Sequence, residues 1–195
     1  MRGNQKILAT NELSIMGTAA ELNVLAALAL CHPFNKDENR ALDAVRAFKG
    51  LPHRCELVLE ENGTRWINDS KGTNVGATVA AISSFDQAQI LILGGIHKGG
   101  AIESLVEAVR QHVRQVIVFG RDKKIFLNAL QDVSDVVAVD KLSDAVQLAA
   151  GNVKQGEVVL FSPACASFDM FHDYQERGNI FRRSVLDVIG SEHVD

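Results

Sequence analysis

Long apolar runs are missing from this 195-residue chain, and with them any segment approaching the ~20 residues that a helix needs to cross a bilayer. Cysteine is scarce. Cys31, Cys55 and Cys165 form an odd, widely spaced set, without CxxC spacing for zinc or the density of a disulfide framework. Excess positive charge is absent too: 20 Lys and Arg stand against 24 Asp and Glu, a net charge of −4. No global basic field draws the chain to nucleic acid or an anionic membrane, so neither partner is expected. The local basic groups, Arg121–Lys124 and Arg182–Arg183, read as solvated surface. The opening MRGNQKILATNELSIMG lacks the apolar core of a signal peptide. Reduced thiols and a cytoplasmic location are the expectation.

Several motifs are absent as well. His97, His112, His172 and His193 show neither HExxH spacing nor clustered carboxylates, so no metal site made by protein groups alone is expected. Neither GxxxxGK[ST] nor a GxGxxG opening a helix occurs, so no nucleotide P-loop is encoded. There is no internal repeat and no low-complexity segment.

What is present is an ordinary globular composition, 47% hydrophobic and 23% charged, enough for a substantial core. The first 50 residues differ from the rest. Ile7–Ile15 reads as one short strand, ending at Met16-Gly17. AAELNVLAALAL, Ala19 to Leu30, reads as a helix with an apolar face, stopping before His32-Pro33. A second helix is predicted from about Asp37 to Phe48, started by Asp37 or Asn35 and stopped by Lys49-Gly50. Two helices and one strand do not close a domain, so this part reads as the tail of something larger.

From Leu51 the pattern becomes regular. CELVLEENGTRWIN predicts two strands around an Asn62-Gly63 turn, the strong hairpin signal. Helices are predicted near Val75–Ser84, Ile102–His112, Lys123–Leu130, Ser143–Ala150 and Phe171–Ile189. Between them fall apolar strands at Ile90–Leu93, Val116–Phe119, Val136–Val139 and Val158–Phe161. The alternation predicts an α/β fold, Rossmann-like, with a mostly parallel sheet covered by helices on both faces.

In such a sheet, ligands bind outside the carboxyl ends of the strands. That places Asn68–Asn74, Gly94–Gly100, Gly120–Asp122 and Ser162–Ser167 along one edge. Their lysines, hydroxyls and helix-starting N–H groups suit an anion. Serine, asparagine and glycine also occur in loops and helix caps for conformational reasons alone. Two lysine-bearing loops beside a serine-rich one nevertheless point to binding. Ser167 and the N–H groups that begin the last helix are expected to meet a carboxylate. The pair His53-Arg54 has low specificity and equally suits a surface salt bridge. Asp69 could accept from a ribose hydroxyl or simply cap the next turn.

Taken together, LPHRCE, INDSKGTN, Leu93-Gly94-Gly95 with Lys98, SPACASFD, Phe171 and Arg177-Gly178 resemble, in order and spacing, the C-terminal portion of the Mur ligases. The likeness runs from about Gly17 to Ile189 and is greatest to the branch that adds D-glutamate. The resemblance implies ATP- and magnesium-dependent amide formation in peptidoglycan synthesis, through an acyl phosphate of UDP-MurNAc-L-alanine that the D-glutamate amine attacks. It implies a remnant of the central ATPase domain over residues 1–48 and the amino-acid-binding domain over 49–195. Carried across, D-glutamate contacts fall on Thr73, Lys98 and Ser167, with the Phe168 backbone assisting. Arg54, Asp69 and Asn23 match positions near ATP, and Lys71 and Tyr174 match cleft-lining positions. No catalytic residue and no metal ligand are assigned. In the resembling loop the cysteine is not a nucleophile, and no base is evidently paired with Cys165, so Cys165 is expected to be inert packing.

The family pattern also breaks. Ala19 and Ala20 replace a His-Asn pair at the start of the first helix, and Ile96 and Ala101 replace aspartates flanking the glycine-lysine loop. With the phosphate loop and magnesium ligands also missing, the chain alone is expected to be inactive. A non-catalytic amino-acid-binding module with the same fold, or a degenerate paralogue, stays open beside the ligase reading. A folylpolyglutamate-type ligase shares the fold, but LPHR with SPACAS points away from it.

Overall fold

The computed structural model describes residues 6–15, 17–34 and 37–191. Met16, Asn35 and His193, which entered the sequence reading, lie outside them. The chain divides into two compact units, 1–51 and 52–195.

In the first unit, α1 spans Thr18–Cys31 and α2 spans Glu38–Ala47. Asp37 caps α2, its carboxylate accepting from Arg40 N at 3.2 Å. The expected strand at Ile7–Ile15 does not form among the described residues. That segment carries a single 3-10 turn, Thr10–Glu12, and is held by side chains instead: Arg46 reaches Glu12 at 2.9 Å and Asp43 at 3.0 Å. With no neighbouring strand to take its N–H and C=O groups, a lone apolar stretch has no ladder to join. The expected apolar face of α1 is also corrected. The helix is apolar around its whole circumference, with Leu22, Leu25 and Leu30 exposed and only Val24 buried.

In the second unit the hairpin forms as its turn dictates. β1, Glu56–Glu61, and β2, Thr64–Asn68, are antiparallel. Asn62 and Gly63 both have positive φ, 51° and 78°, matching the twist of a tight two-residue turn. After it come α3 (Val75–Ile82), β3 (Gln89–Gly94), α4 (Ile102–His112), β4 (Val113–Phe119), α5 (Lys123–Leu130), β5 (Asp135–Ala138), α6 (Leu142–Asn152), β6 (Val158–Phe161) and α7 (Tyr174–Ser191). The sheet order is β1-β2-β6-β3-β4-β5, and every pairing except β1 with β2 is parallel.

Side chains alternate across the pleat. Trp66, Ile90, Ile92, Ile117, Phe119, Val159 and Phe161 pack on α6 and α7, where the Phe161 and Phe181 rings stack at 4.7 Å. The intervening Ile67, Leu91, Leu93, Val116, Val118 and Leu160 are equally buried on the other side, where α3 packs on α4 and α4 on α5. Burial on both faces explains why these strands read as continuous apolar runs. β6, last of the strands in sequence, inserts between β2 and β3. The chain therefore winds away from β3 in one direction and returns on the other side. The crevice at that reversal is where α/β sheets bind ligands.

Candidate functional site

Because β2, β6 and β3 are adjacent, the loops that follow them lie side by side. The β3 loop and the β6 loop are joined through the backbone. Gly94 N donates to Pro163 O at 3.0 Å, and Ile96 and Ala166 exchange both N–H···O bonds at 2.9 Å. Gly95, with φ 129°, makes this approach possible, since a Cβ there would run into Ala166 O. The β2 loop is rooted on β6, where Asp69 N donates to Phe161 O at 2.7 Å.

Under these loops lies a buried polar floor. Ser162 Oγ donates to Asp69 Oδ2 at 2.7 Å and sits 2.9 Å from Thr78 Oγ1. Cys55 N donates to Asp69 Oδ1 at 3.3 Å. Both carboxylate oxygens of Asp69 thus point into the fold. Burial raises its pKa from an ordinary 3.8 to about 6, against the opposing pull of the Ser162 and Cys55 hydrogen bonds and the Arg54 charge. Arg54 itself is exposed.

His53 is not the surface salt-bridge residue that the sequence allowed. It is buried, and its Nδ1 accepts from Asn68 Nδ2 at 3.1 Å. Asn68 Nδ2 also faces Gly178 O at 3.2 Å and Glu56 Oε2 at 3.3 Å. Gly178 lets α7 pass directly over the imidazole, because a Cβ there would collide with the His53 ring.

The three residues matched to D-glutamate sit on these neighbouring loops. Lys98 Nζ donates to Thr73 Oγ1 at 3.2 Å, joining the β3 and β2 loops. Ser167 is buried and follows Ala166, the bridge residue between the β6 and β3 loops. Among the described residues no side-chain hydrogen bond engages its hydroxyl, while its carbonyl accepts from Met170 N and Phe171 N. Phe168 projects outward, 72% exposed. Lys71 and Tyr174, the cleft-lining pair, touch each other: the ammonium lies 4.1 Å from the ring centroid. Asn23 is exposed on α1 and belongs to the first unit.

Helix N-termini contribute less than expected. The last helix begins at Tyr174 rather than Phe171, seven residues after Ser167. One of its first N–H groups is already occupied, Asp173 Oδ1 accepting from Glu176 N at 2.8 Å, while Glu176 Oε2 reaches back to accept from His172 N, ahead of the helix, at 2.6 Å. The acidic residues of this cap stop the helix from extending back to Phe171. Asn74 caps α3, accepting from Ala77 N at 2.9 Å, so its presence in the loop is explained by local geometry.

Cys165 is fully buried, and burial pushes its thiol up to about 12. A thiol held protonated is no nucleophile at neutral pH. Asp122 and Asp169 brace the neighbouring loops, Asp122 Oδ2 accepting from His97 N at 2.8 Å and Asp169 Oδ2 from Arg121 N at 2.9 Å. A cleft of about 440 Å³ beside Phe168 is lined by Ile96, Arg121, Lys123, Asp140, Asp169 and Met170 among others. Neither Thr73, Lys98 nor Ser167 lines it, so this cleft and the loops that carry those three residues are different places. Among the described residues no group of three or more His, Cys, Asp or Glu is placed to hold a metal.

Residues 53–165 match the family described as Mur ligase, glutamate ligase domain. The chain belongs to the Mur ligase family. It is 50% identical over 180 residues to UDP-N-acetylmuramoylalanine--D-glutamate ligase of Hydrogenovibrio crunogenus, covering 90% of this chain and 40% of that protein. It is 45% identical to the enzyme of the same name from Geotalea uraniireducens, over 94% of this chain and 40% of that one. The chain thus spans about 40% of the length of these Mur ligase relatives. UDP-N-acetylmuramate-alanine ligase from Thermotoga maritima superimposes with a TM-score of 0.71 at 20% identity, over 92% of this chain and 40% of that one. A Mycobacterium tuberculosis folylpolyglutamate synthase gives 0.64 at 15% identity, over 87% and 41%. At those identities the likeness establishes the α/β fold.

Proposed function

We propose that residues 49–195 form the amino-acid-binding part of a D-glutamate-adding Mur ligase of peptidoglycan synthesis, and that residues 1–48 are a remnant of its central ATPase domain. What supports this reading is that Thr73, Lys98 and Ser167 lie on loops after three adjacent strands at the reversal of strand order, with Lys98 and Thr73 hydrogen-bonded at 3.2 Å. D-Glutamate is small and has two carboxylates, so its recognition needs charge and directed donors more than apolar area. Lys98 supplies an ammonium, and Thr73 and Ser167 supply hydroxyls beside it. The Phe168 N–H and the Lys71–Tyr174 pair complete the rim.

In the complete ligase, ATP with magnesium drives amide formation between the UDP-MurNAc-L-alanine carboxylate and the D-glutamate amine. This chain's own contribution is to hold and orient D-glutamate. Arg54 suits a phosphate, since it is exposed and its charge acts on the inward-turned Asp69; Asn23, by the family match alone, is the first unit's candidate nucleotide contact. Asp69 acts from beneath, its carboxylate charge drawing Arg54. With no carboxylate cluster for magnesium among the described residues and no P-loop sequence, the isolated chain binds the amino acid without ligating it. Its place is the cytoplasm.

Titration of the isotope-labelled chain with D-glutamate and L-glutamate, followed by NMR, tests the reading. Shifts confined to the amides of Thr73, Lys98, Ser167 and Phe168, stronger for the D-isomer, are expected. Absence of any shift at those amides with either isomer at high millimolar concentration would sink it.

A further inference from the structure

Arg177 is the most unusual residue in the second unit. Its side chain is completely buried, yet its hydrogen bonds all go to neutral groups. Nε donates to Ser70 Oγ at 3.1 Å, Nη2 to Ser70 O at 2.8 Å and Nη1 to Cys165 O at 3.1 Å. Ser70 Oγ in turn donates to Tyr174 O at 2.8 Å, closing the ring back onto α7. Buried arginines are ordinarily paired with a carboxylate. Asp169 and Asp69 act on this guanidinium through space only, and its donors are spent on the two loops instead.

The bonds show what those donors do. The β3 and β6 loops are sewn together by backbone hydrogen bonds, but the β2 loop meets the β6 loop through the backbone at its root alone, Asp69 N to Phe161 O. Farther out, beyond the Asp69–Ser162 contact, Arg177 links the two: one side of its fork holds Ser70 and the other holds Cys165. Three residues after Ser70 comes Thr73, and two after Cys165 comes Ser167. Ala164, directly before Cys165, is held at φ 56°, a left-handed conformation that a residue with a Cβ disfavours, so this part of the loop does not keep its shape unaided.

We propose that Arg177 is a positioning residue for the amino-acid crevice, a clasp whose planar fork fixes the distance between the Thr73 loop and the Ser167 loop. It touches neither substrate nor reacting atoms. It also leaves a positive charge beneath an anion site, where no hydrogen-bonded carboxylate cancels it. Lysine is a poor substitute, because an ammonium lacks the flat, multi-donor geometry that spans both loops.

The ligand arm of the test rests on the D-glutamate reading above; a second arm does not. In the 195-residue chain, Arg177→Ala is expected to weaken D-glutamate binding about tenfold or more, and Arg177→Lys to recover only part of the loss. Guanidinium ion, added below denaturing concentration, is expected to restore binding to Arg177→Ala while doing nothing for Lys98→Ala. Amide hydrogen exchange is expected to quicken in 69–74 and 164–168 and to stay slow in β3 and β4. Should Arg177→Ala fail to fold, Ser70→Ala removes one prong of the clasp and is expected to quicken exchange in the same two loops. Unchanged exchange in both loops, or full recovery by lysine, would overturn the clasp. If the parent chain binds no D-glutamate, the functional reading fails while the exchange arm still decides the role of Arg177.

Discussion

Two arginines at opposite ends of the sheet solve the same problem in opposite ways. Arg114, at the amino end where β4 starts, grips Glu157 with two bonds of 2.8 and 2.9 Å and caps Asn152 O at 3.0 Å. Its charge is cancelled locally, and the pair shifts both groups further toward their ionised forms. Arg177, at the carboxyl end, has no such partner, and burial lowers its pKa to about 10. It remains charged at neutral pH, with Asp169 and Asp69 acting on it through space and neither hydrogen-bonded to it. One end of the sheet is built to be stable. The other holds a guanidinium whose donors link two loops, beside the crevice proposed for D-glutamate.

The largest expected effect tests the amino end. Arg114→Met leaves the nearly buried Glu157 without its counter-ion, which costs about 3–4 kcal/mol of stability. Chemical denaturation is expected to show that loss while D-glutamate affinity stays at the parent value. An equal fall in affinity would erase the contrast between the two ends.

Asp69 comes next. Its folded pKa of about 6 exceeds the ordinary 3.8, so the fold favours the protonated acid. That contribution is fully present below pH 3.8 and is lost as pH rises through about 6. It amounts to at most about 3 kcal/mol. Asp69→Asn keeps an acceptor for Cys55 N and does not ionise, so it is expected to gain stability on the parent between pH 4 and pH 7. Parallel unfolding curves across that range would show that Asp69 is not the group that titrates.

Binding effects are smaller. Lys98→Ala is expected to weaken D-glutamate binding tenfold to a hundredfold, the usual cost of about 1.5–3 kcal/mol for a charged hydrogen bond, and Ser167→Ala by somewhat less. NMR titration reads both, and two mutants that bind like the parent would remove the site from these loops. Smaller still is Ala101→Asp. Ala101 is the N-cap of α4 and makes no side-chain cap, so aspartate there is expected to add about 1 kcal/mol of thermal stability. Last, Cys165→Ser is expected to leave D-glutamate affinity unchanged; a large loss with the fold intact would reopen a chemical role for the thiol.

Much of the fold could be read from the residues. α4, α5 and β6 fall where periodicity places them, because amphipathic spacing and β-branched runs report burial directly. β4 begins three residues early, at Val113, since Arg114 and Gln115 are polar yet paired: Gln115 reaches Asp135 at 2.7 Å and Asn152 at 3.0 Å. Pattern reading discounts such residues because their partners are distant in sequence. α7 starts three residues later than its pattern predicts for a local reason: Asp173 caps Glu176 N and sets the helix start at Tyr174. At the site, the sequence places Thr73, Lys98 and Ser167 on loops at the carboxyl edge, and the structure sets those loops after adjacent strands. Arg177 appeared in the family pattern with no role attached, and a charged residue three positions into a helix gave no signal that it would be buried.

By itself, then, the amino-acid sequence determined the succession of strands and helices in the second unit, that the sheet is covered on both faces, and which loops end at its carboxyl edge. These follow from short-range propensity and burial period, which each segment carries alone. Tertiary structure alone decided that β6 enters between β2 and β3, that Asp69 and His53 turn inward, and that Arg177 spans two loops more than ninety residues apart. Those outcomes depend on pairings between distant segments, where one buried polar group must find its partner in the whole fold, and no local stretch of sequence contains both halves of the bond.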